Sequence, residues 1–129
     1  MTEKFEIYKC NICGNTAQIL FAGIGELVCC GQKMEHLIPH SEENNELVEK
    51  HTPMFEKWDD KEFVTLKLHP MISEHYIQFI EVFPKDKTEL HLKYFAPNEE
   101  AKLETTHYGE NLEALELCNI HGLWRKQND

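Results

Sequence analysis

Apolar and polar positions alternate along most of this chain, a pattern that predicts strands rather than helices. Phe5-Glu6-Ile7-Tyr8 is a short alternating run. Phe63-Val64-Thr65-Leu66-Lys67-Leu68 is β-branched and roughly alternating, as are Tyr76 to Phe83, closed by Pro84, and Glu89 to Phe95, closed by Pro97. Lys85-Asp86-Lys87 sits between the last two as a hairpin turn. Short strands repeated between turn signals predict a small antiparallel β-sandwich over the larger part of the chain. One stretch reads the other way. Asn111-Leu112-Glu113-Ala114-Leu115-Glu116-Leu117 is made of good helix formers. Its end, Leu115 to Cys118, is assigned to a strand, because alternation there fits a sandwich edge and the residues beyond it need a rigid base.

From Ile38 to Val48 the pattern lapses into Pro39-His40-Ser41-Glu42-Glu43-Asn44-Asn45-Glu46. Acidic and amide residues with a proline and no apolar period read as a linker. Two domains follow, residues 1–37 and 38–129. His36 and His40, at the linker, have no ligand-like neighbours and read as solvated. His91 and His107, on outward strand positions, read the same way.

Composition narrows the class. A length of 129 residues fits one ordinary domain or a small one plus a medium one, and a hydrophobic content of 41% supports a real core. The formal charge of −10 argues against binding nucleic-acid backbones by charge attraction. No apolar run approaches the roughly 18 residues of a membrane span, and Met1-Thr2-Glu3-Lys4 lacks a signal-peptide core. The expected compartment is the cytoplasm. Five cysteines is an odd number, and in a reducing compartment they read as metal ligands or catalytic thiols rather than disulfides.

Four of those cysteines lie in the first domain. Lys9-Cys10-Asn11-Ile12-Cys13-Gly14-Asn15 sets two thiols on a tight turn, with Gly14 able to take the backbone angles such a turn requires. Val28-Cys29-Cys30-Gly31 repeats the arrangement with an adjacent pair. Neighbouring side chains on an extended chain point to opposite faces, so Cys29 and Cys30 reach one metal only if the backbone twists. Four thiolates on one ion make a closed tetrahedral site, suited to zinc or to a single iron. Spacing does not choose between them. A segment of about 36 residues buries too little surface to stand alone, so it depends on its metal, on docking, or on a second copy of itself.

The second domain carries a different donor set. Glu49-Lys50-His51, His69-Pro70-Met71-Ile72-Ser73-Glu74-His75 and Cys118-Asn119-Ile120-His121-Gly122 offer four imidazoles and one thiol from three segments. They fit one metal centre gathered by folding. In a straight strand His69 and His75 would lie about 20 Å apart, so the chain must bend between them. Pro70 keeps His69 out of helical geometry, and a helical turn at Ser73-Glu74 would return His75 to the same point. Cys118 and His121 share one side of a tight turn, which Gly122 lets the chain leave.

Taken together and in order, these motifs resemble the desulfoferrodoxin family, the two-iron superoxide reductases, over nearly the whole chain. The resemblance implies a mainly β protein, with a small rubredoxin/desulforedoxin-like domain followed by an immunoglobulin-like antiparallel β-sandwich. It implies two iron ions per chain. One would be bound by Cys10, Cys13, Cys29 and Cys30. The other would have His51, His69, His75 and His121 as equatorial ligands and Cys118 as the axial one. It further implies Lys50 as the residue that attracts superoxide, Glu49 as an occupant of the vacant position of the oxidised iron, a rubredoxin-like electron donor, and a homodimer. The implied reaction joins superoxide, one electron and two protons to give hydrogen peroxide. Two other readings are an electron carrier using the four-cysteine site and a zinc-ribbon interaction module. Neither needs the histidine set, and colour separates them: a zinc protein is colourless and a carrier shows its FeS4 bands alone.

Overall fold

Strand pairing supplies the regular structure of residues 1–40 and 51–127, which a computed structural model describes. The named elements among those residues are all strands. The chain divides into two units, Met1–Ile38 and Pro39–Asp129.

In the first unit, β1 (Ile7–Lys9) is the middle strand of an antiparallel sheet, flanked by β2 (Thr16–Gln18) and β5 (Glu35–Leu37). Between them β3 (Val28–Cys29) and β4 (Gln32–Lys33) pair as a minimal hairpin. Alternation along β1 buries Ile7, while Tyr8 stands across from His36 and stacks on its ring. Strands this short leave Phe5, Ile7 and Cys10 as the unit's buried apolar residues. Such a set is too small for an independent core.

A polar cluster helps hold the start of this unit. The Glu6 carboxylate accepts hydrogen bonds from the Tyr8 hydroxyl (2.9 Å) and the Glu3 N–H (2.8 Å), and it faces His36 Nε2 at 3.3 Å. Burial pushes the Glu6 pKa up, but the Glu3 N–H, Tyr8 and His36 outweigh it and hold it below the usual carboxylate value. A carboxyl whose folded pKa is depressed contributes stability above its unfolded pKa and loses it as pH falls through the folded one. Glu6→Gln is therefore expected to cost about 1–2 kcal/mol at neutral pH, with the difference closing as pH falls through the depressed pKa of the folded protein. Thermal unfolding of both proteins across pH checks this. A difference that persists unchanged into acid would contradict it.

The second unit contains β6 (Met54–Trp58), β7 (Lys61–Thr65), β8 (Ile77–Pro84), β9 (His91–Tyr94), β10 (Lys102–Glu104), β11 (Leu112–Cys118) and β12 (Gly122–Gln127). They form two antiparallel sheets, ordered β10-β7-β6 and β12-β11-β8-β9. The core lies between them, with Val64, Leu66, Ala101 and Leu103 against Ile77, Ile80, Val82, Leu112 and Ala114. Three strands facing four is the architecture of an immunoglobulin-like sandwich. The β8–β9 connection turns at the expected place. Asp86 Oδ1 accepts from the Thr88 N–H and hydroxyl at 3.1 and 2.8 Å, and Lys87 takes a left-handed φ of 56°.

The run of helix formers from Leu112 is strand throughout. β11 is paired on both edges, by β8 and β12, and nearly all of it is buried. Pairing and burial of this extent override local helix propensity. A second expectation needs correcting. His40 is not a solvated linker residue: its N–H donates to Leu123 O at 2.8 Å, its carbonyl accepts from the Arg125 N–H at 3.0 Å, and its half-buried ring lies on Trp124. His36 belongs to β5 and is paired with Glu6. The rest of the polar connector, 41–50, lies outside the described residues.

Candidate metal centres

Two hairpins bring the four cysteines of the first unit together. Cys10 ends the extended run of β1, and the Gly14 N–H returns to Cys10 O at 2.9 Å, closing a turn that also presents Cys13. Gly14 takes a φ of 85° there, a conformation open to glycine at little cost. Cys29 ends β3. Cys30 takes a φ of 52°, and that left-handed residue is the twist which lets adjacent side chains converge. Cys13 Sγ lies 3.6 Å from Cys29 Sγ, which lies 4.0 Å from Cys30 Sγ. All four sulfurs fall within 4.8 Å of one another.

Electrostatics show what such a cluster requires. The backbone N–H groups of Cys13 and Ile12 hold the Cys10 thiol down to about 6. Shared contacts with Cys13, Cys10 and Cys29 push Cys30 up to about 12. Four thiols this close cannot all ionise by themselves, because each new negative charge opposes the next. A cation at their centre removes that conflict. The donor set fits one tetrahedral iron or zinc.

In the second unit the ligand-bearing segments meet at one end of the sandwich. The bend between His69 and His75 is a two-residue turn rather than the expected helical one. Ile72 and His75 exchange N–H···O bonds of 3.0 and 3.1 Å across Ser73-Glu74. Cys118 ends β11 and pairs with Gly122 at the start of β12, so residues 119–121 form a hairpin loop that Gly122 leaves at a φ of 82°. The Asn119 side chain locks the two loops together, accepting from the Tyr76 N–H at 2.9 Å and donating to Glu74 O at 3.1 Å.

One donor of each of His51, His69, His75 and Cys118 lies within 4.8 Å of the others. His121 joins them through Nδ1, which is 3.1 Å from His51 Nε2 and 3.9 Å from Cys118 Sγ. His51 Nε2 also lies 3.1 Å from His69 Nε2. One ring nitrogen offers a single in-plane proton or lone pair, so it cannot satisfy two facing imidazole nitrogens. A shared cation satisfies all three. Burial brings His69 down to about 4, so the ring is neutral and its lone pair is available at neutral pH. His69 Nδ1 lies 2.6 Å from Pro70 O, a contact that fixes the tautomer and leaves Nε2 as the ligand. Burial raises the Cys118 thiol, while the N–H groups of His121 and Ile120 favour its thiolate. The His121 N–H is 3.4 Å from the sulfur. Four imidazoles and a thiolate suit iron, with iron(II) supported by the imidazoles and iron(III) by the soft sulfur.

Every expected ligand thus falls in one of the two clusters. Glu49 and Lys50 lie outside the described residues. His91 and His107 stand apart from both, with His91 stacked on Tyr108 at 3.6 Å. Two residues at the second centre escaped the sequence reading. Glu116 is fully buried on the same face as Cys118, and burial pushes its carboxyl well up. Trp124 covers His51 and donates its indole N–H to His121 O at 3.1 Å.

Residues 2–37 match the family model of the desulfoferrodoxin N-terminal domain, and residues 43–127 match that of desulfoferrodoxin. The chain is 41% identical to a desulfoferrodoxin homolog of Archaeoglobus fulgidus, covering 97% of this chain and 98% of that one. It is 34% identical to the desulfoferrodoxin of Nitratidesulfovibrio vulgaris, covering 98% and 99%. Its fold superposes on the superoxide reductase of Treponema pallidum with a TM-score of 0.67 at 22% identity, over 98% of this chain and 99% of that one.

Proposed function

Because the chain belongs to the desulfoferrodoxin family, we infer that it reduces superoxide to hydrogen peroxide at the histidine–cysteine centre of its second unit. The observation that carries this reading is the convergence of four imidazoles and Cys118 at one point. Iron held there by His51, His69, His75, His121 and Cys118 would supply a one-electron couple between an external donor and superoxide. The protein's part is to shape that couple. Neutral imidazoles from His51, His69, His75 and His121 keep the site's charge low, and the Cys118 thiolate donates electron density. Five protein ligands would leave a six-coordinate ion one position for substrate, which a closed structural site would not do. The net reaction consumes superoxide, one electron and two protons. An electron carrier would need only the four cysteines and gives no reason for the second convergence.

Residues 1–37 are proposed as the domain that holds an FeS4 iron through Cys10, Cys13, Cys29 and Cys30, and residues 38–129 as the catalytic sandwich. Glu49 is assigned the capping of the oxidised centre after product leaves. The donor is a rubredoxin-like protein. A homodimer is supported by the first unit's small core and by Leu20, Phe21 and Ile24, the last two about nine-tenths exposed. Cytoplasmic residence is supported by five free cysteines. Among the described residues no helix is long and apolar enough to cross a membrane.

Lys50 is assigned the attraction of the anion. A unit charge about 6 Å from superoxide is worth roughly 3 kcal/mol at an effective dielectric near 20. Charges beyond about 8 Å are heavily screened at physiological salt, so a cation at that distance would outweigh the chain's net negative field. The second-order rate with superoxide is expected to fall as ionic strength rises. Lys50→Ala is expected to lower it by about ten- to a hundredfold and to flatten or reverse the salt slope. Decay of pulse-generated superoxide at several salt concentrations measures both. Equal rates and slopes in the two proteins would remove Lys50 from the mechanism.

A further inference from the structure

Trp124 links the histidine–cysteine centre to a residue near the surface. Its indole is buried, at 2% exposure, and lies nearly parallel to the His51 ring, with centroids 5.0 Å apart and planes at 25°. The half-buried ring of His40 packs on the same indole at 4.8 Å. Backbone bonds fix this contact on both sides of Trp124, from the His40 N–H to Leu123 O and from the Arg125 N–H to His40 O. The indole N–H is anchored on His121 O. His51 turns its Nε2 edge toward His69 and His121 and lays its face against Trp124. Among the described residues, the ring–ring contacts of His69 and of His121 stay within the histidine cluster.

We propose that His40, Trp124 and His51 form the route by which an electron enters this centre from a donor protein docked over His40. The proposal rests on the superoxide reductase reading, because that reaction consumes an electron at each turnover. One electron leaves the reduced iron–sulfur donor and arrives at iron(III). No bond forms or breaks, and no proton moves. Three aromatic rings in succession give that electron a packed π path ending on a metal ligand. Entry through the face of a ligand ring also leaves the open coordination position to superoxide, so donor and substrate need not compete. The docking edge suits an acidic donor of the rubredoxin type. In a chain of net charge −10, the Arg125 N–H bonds His40 O and Lys126 follows Arg125 on β12, an outer strand of its sheet, although Arg125 also meets Glu113 at 3.6 Å.

The experiment mixes the oxidised protein with reduced rubredoxin or with ascorbate in a stopped-flow instrument and follows the iron(III) band. His40→Leu and Trp124→Leu are expected to slow re-reduction by rubredoxin about tenfold, and re-reduction by ascorbate far less. Trp124→Phe, which keeps an aromatic ring in the core, should recover most of the rate, and the midpoint potential should hold in all three variants. With zinc in place of iron, added rubredoxin should shift the NMR signals of the His40 ring and the Trp124 indole N–H. Native rubredoxin rates in His40→Leu and a folded Trp124→Leu would overturn the route. So would equal losses with both reductants, a potential shift large enough to explain the loss, or NMR shifts confined to another face. Should Trp124→Leu fail to fold, His40→Leu decides the matter alone. A native protein that takes electrons from rubredoxin but does not react with superoxide would instead overturn the functional reading.

Discussion

Cys118→Ser is expected to keep the sandwich folded and to take superoxide reduction to background. The side chain sits at the end of β11, 2% exposed, and exchanging sulfur for a smaller oxygen at a paired strand end costs about 1 kcal/mol. The chemical loss is far larger. A serine hydroxyl does not ionise beside a metal as readily as a thiol does, so the centre loses both its anionic ligand and its sulfur-to-iron(III) absorption band. The N–H groups of Ile120 and His121, which favour the thiolate, are left without the charge they serve. Circular dichroism, iron content and the rate with superoxide measure the three consequences. Full activity in the serine protein would remove Cys118 from the centre.

Cys13→Ser has its effect at the other end of the chain. Cys13 Sγ is 3.6 Å from Cys29 Sγ, within the four-sulfur cluster. Removing one thiolate from a closed tetrahedral set is expected to cost that site most of its iron and its colour, taking bound iron from about two ions per chain toward one. The direct reaction with superoxide should survive, because the five ligands of the second centre fall within residues 51–121. Loss of that reaction in a folded Cys13→Ser protein with its second centre loaded would contradict the division of labour.

Much of this was legible in the sequence because the information is local. Ligand pairs two or three residues apart need a turn and little else, so Cys10/Cys13 and Cys118/His121 declare their clusters from spacing and a following glycine. The strain at the adjacent pair was readable too, and the left-handed Cys30 supplies the required twist. Alternation likewise identified β8 and its hairpin partner β9.

The failures are all long-range. Leu112 to Leu117 reads as helix on propensity, and only pairing with β8 and β12 makes all of it strand. The bend returning His75 toward His69 is a tight turn stabilised by Asn119 of another hairpin, a partner that no window around His75 contains. His40 looked solvated because it opens the polar linker with no ligand-like residue near it in sequence, whereas its structural neighbours are Leu123, Trp124 and Arg125. Glu116 sits in an alternating pattern that does not distinguish a buried carboxyl from a surface one.

Product stoichiometry separates superoxide reduction from every other use of these two centres. The fully reduced, two-iron protein is mixed with a limiting pulse of superoxide, and hydrogen peroxide and dioxygen are both counted. Reduction at the histidine–cysteine centre requires one hydrogen peroxide for each superoxide consumed, one iron(III) centre formed with its thiolate band, and no dioxygen. Dioxygen released with half that yield of peroxide would show dismutation instead, and superoxide decaying no faster than in buffer would show that the centre does not meet it at all.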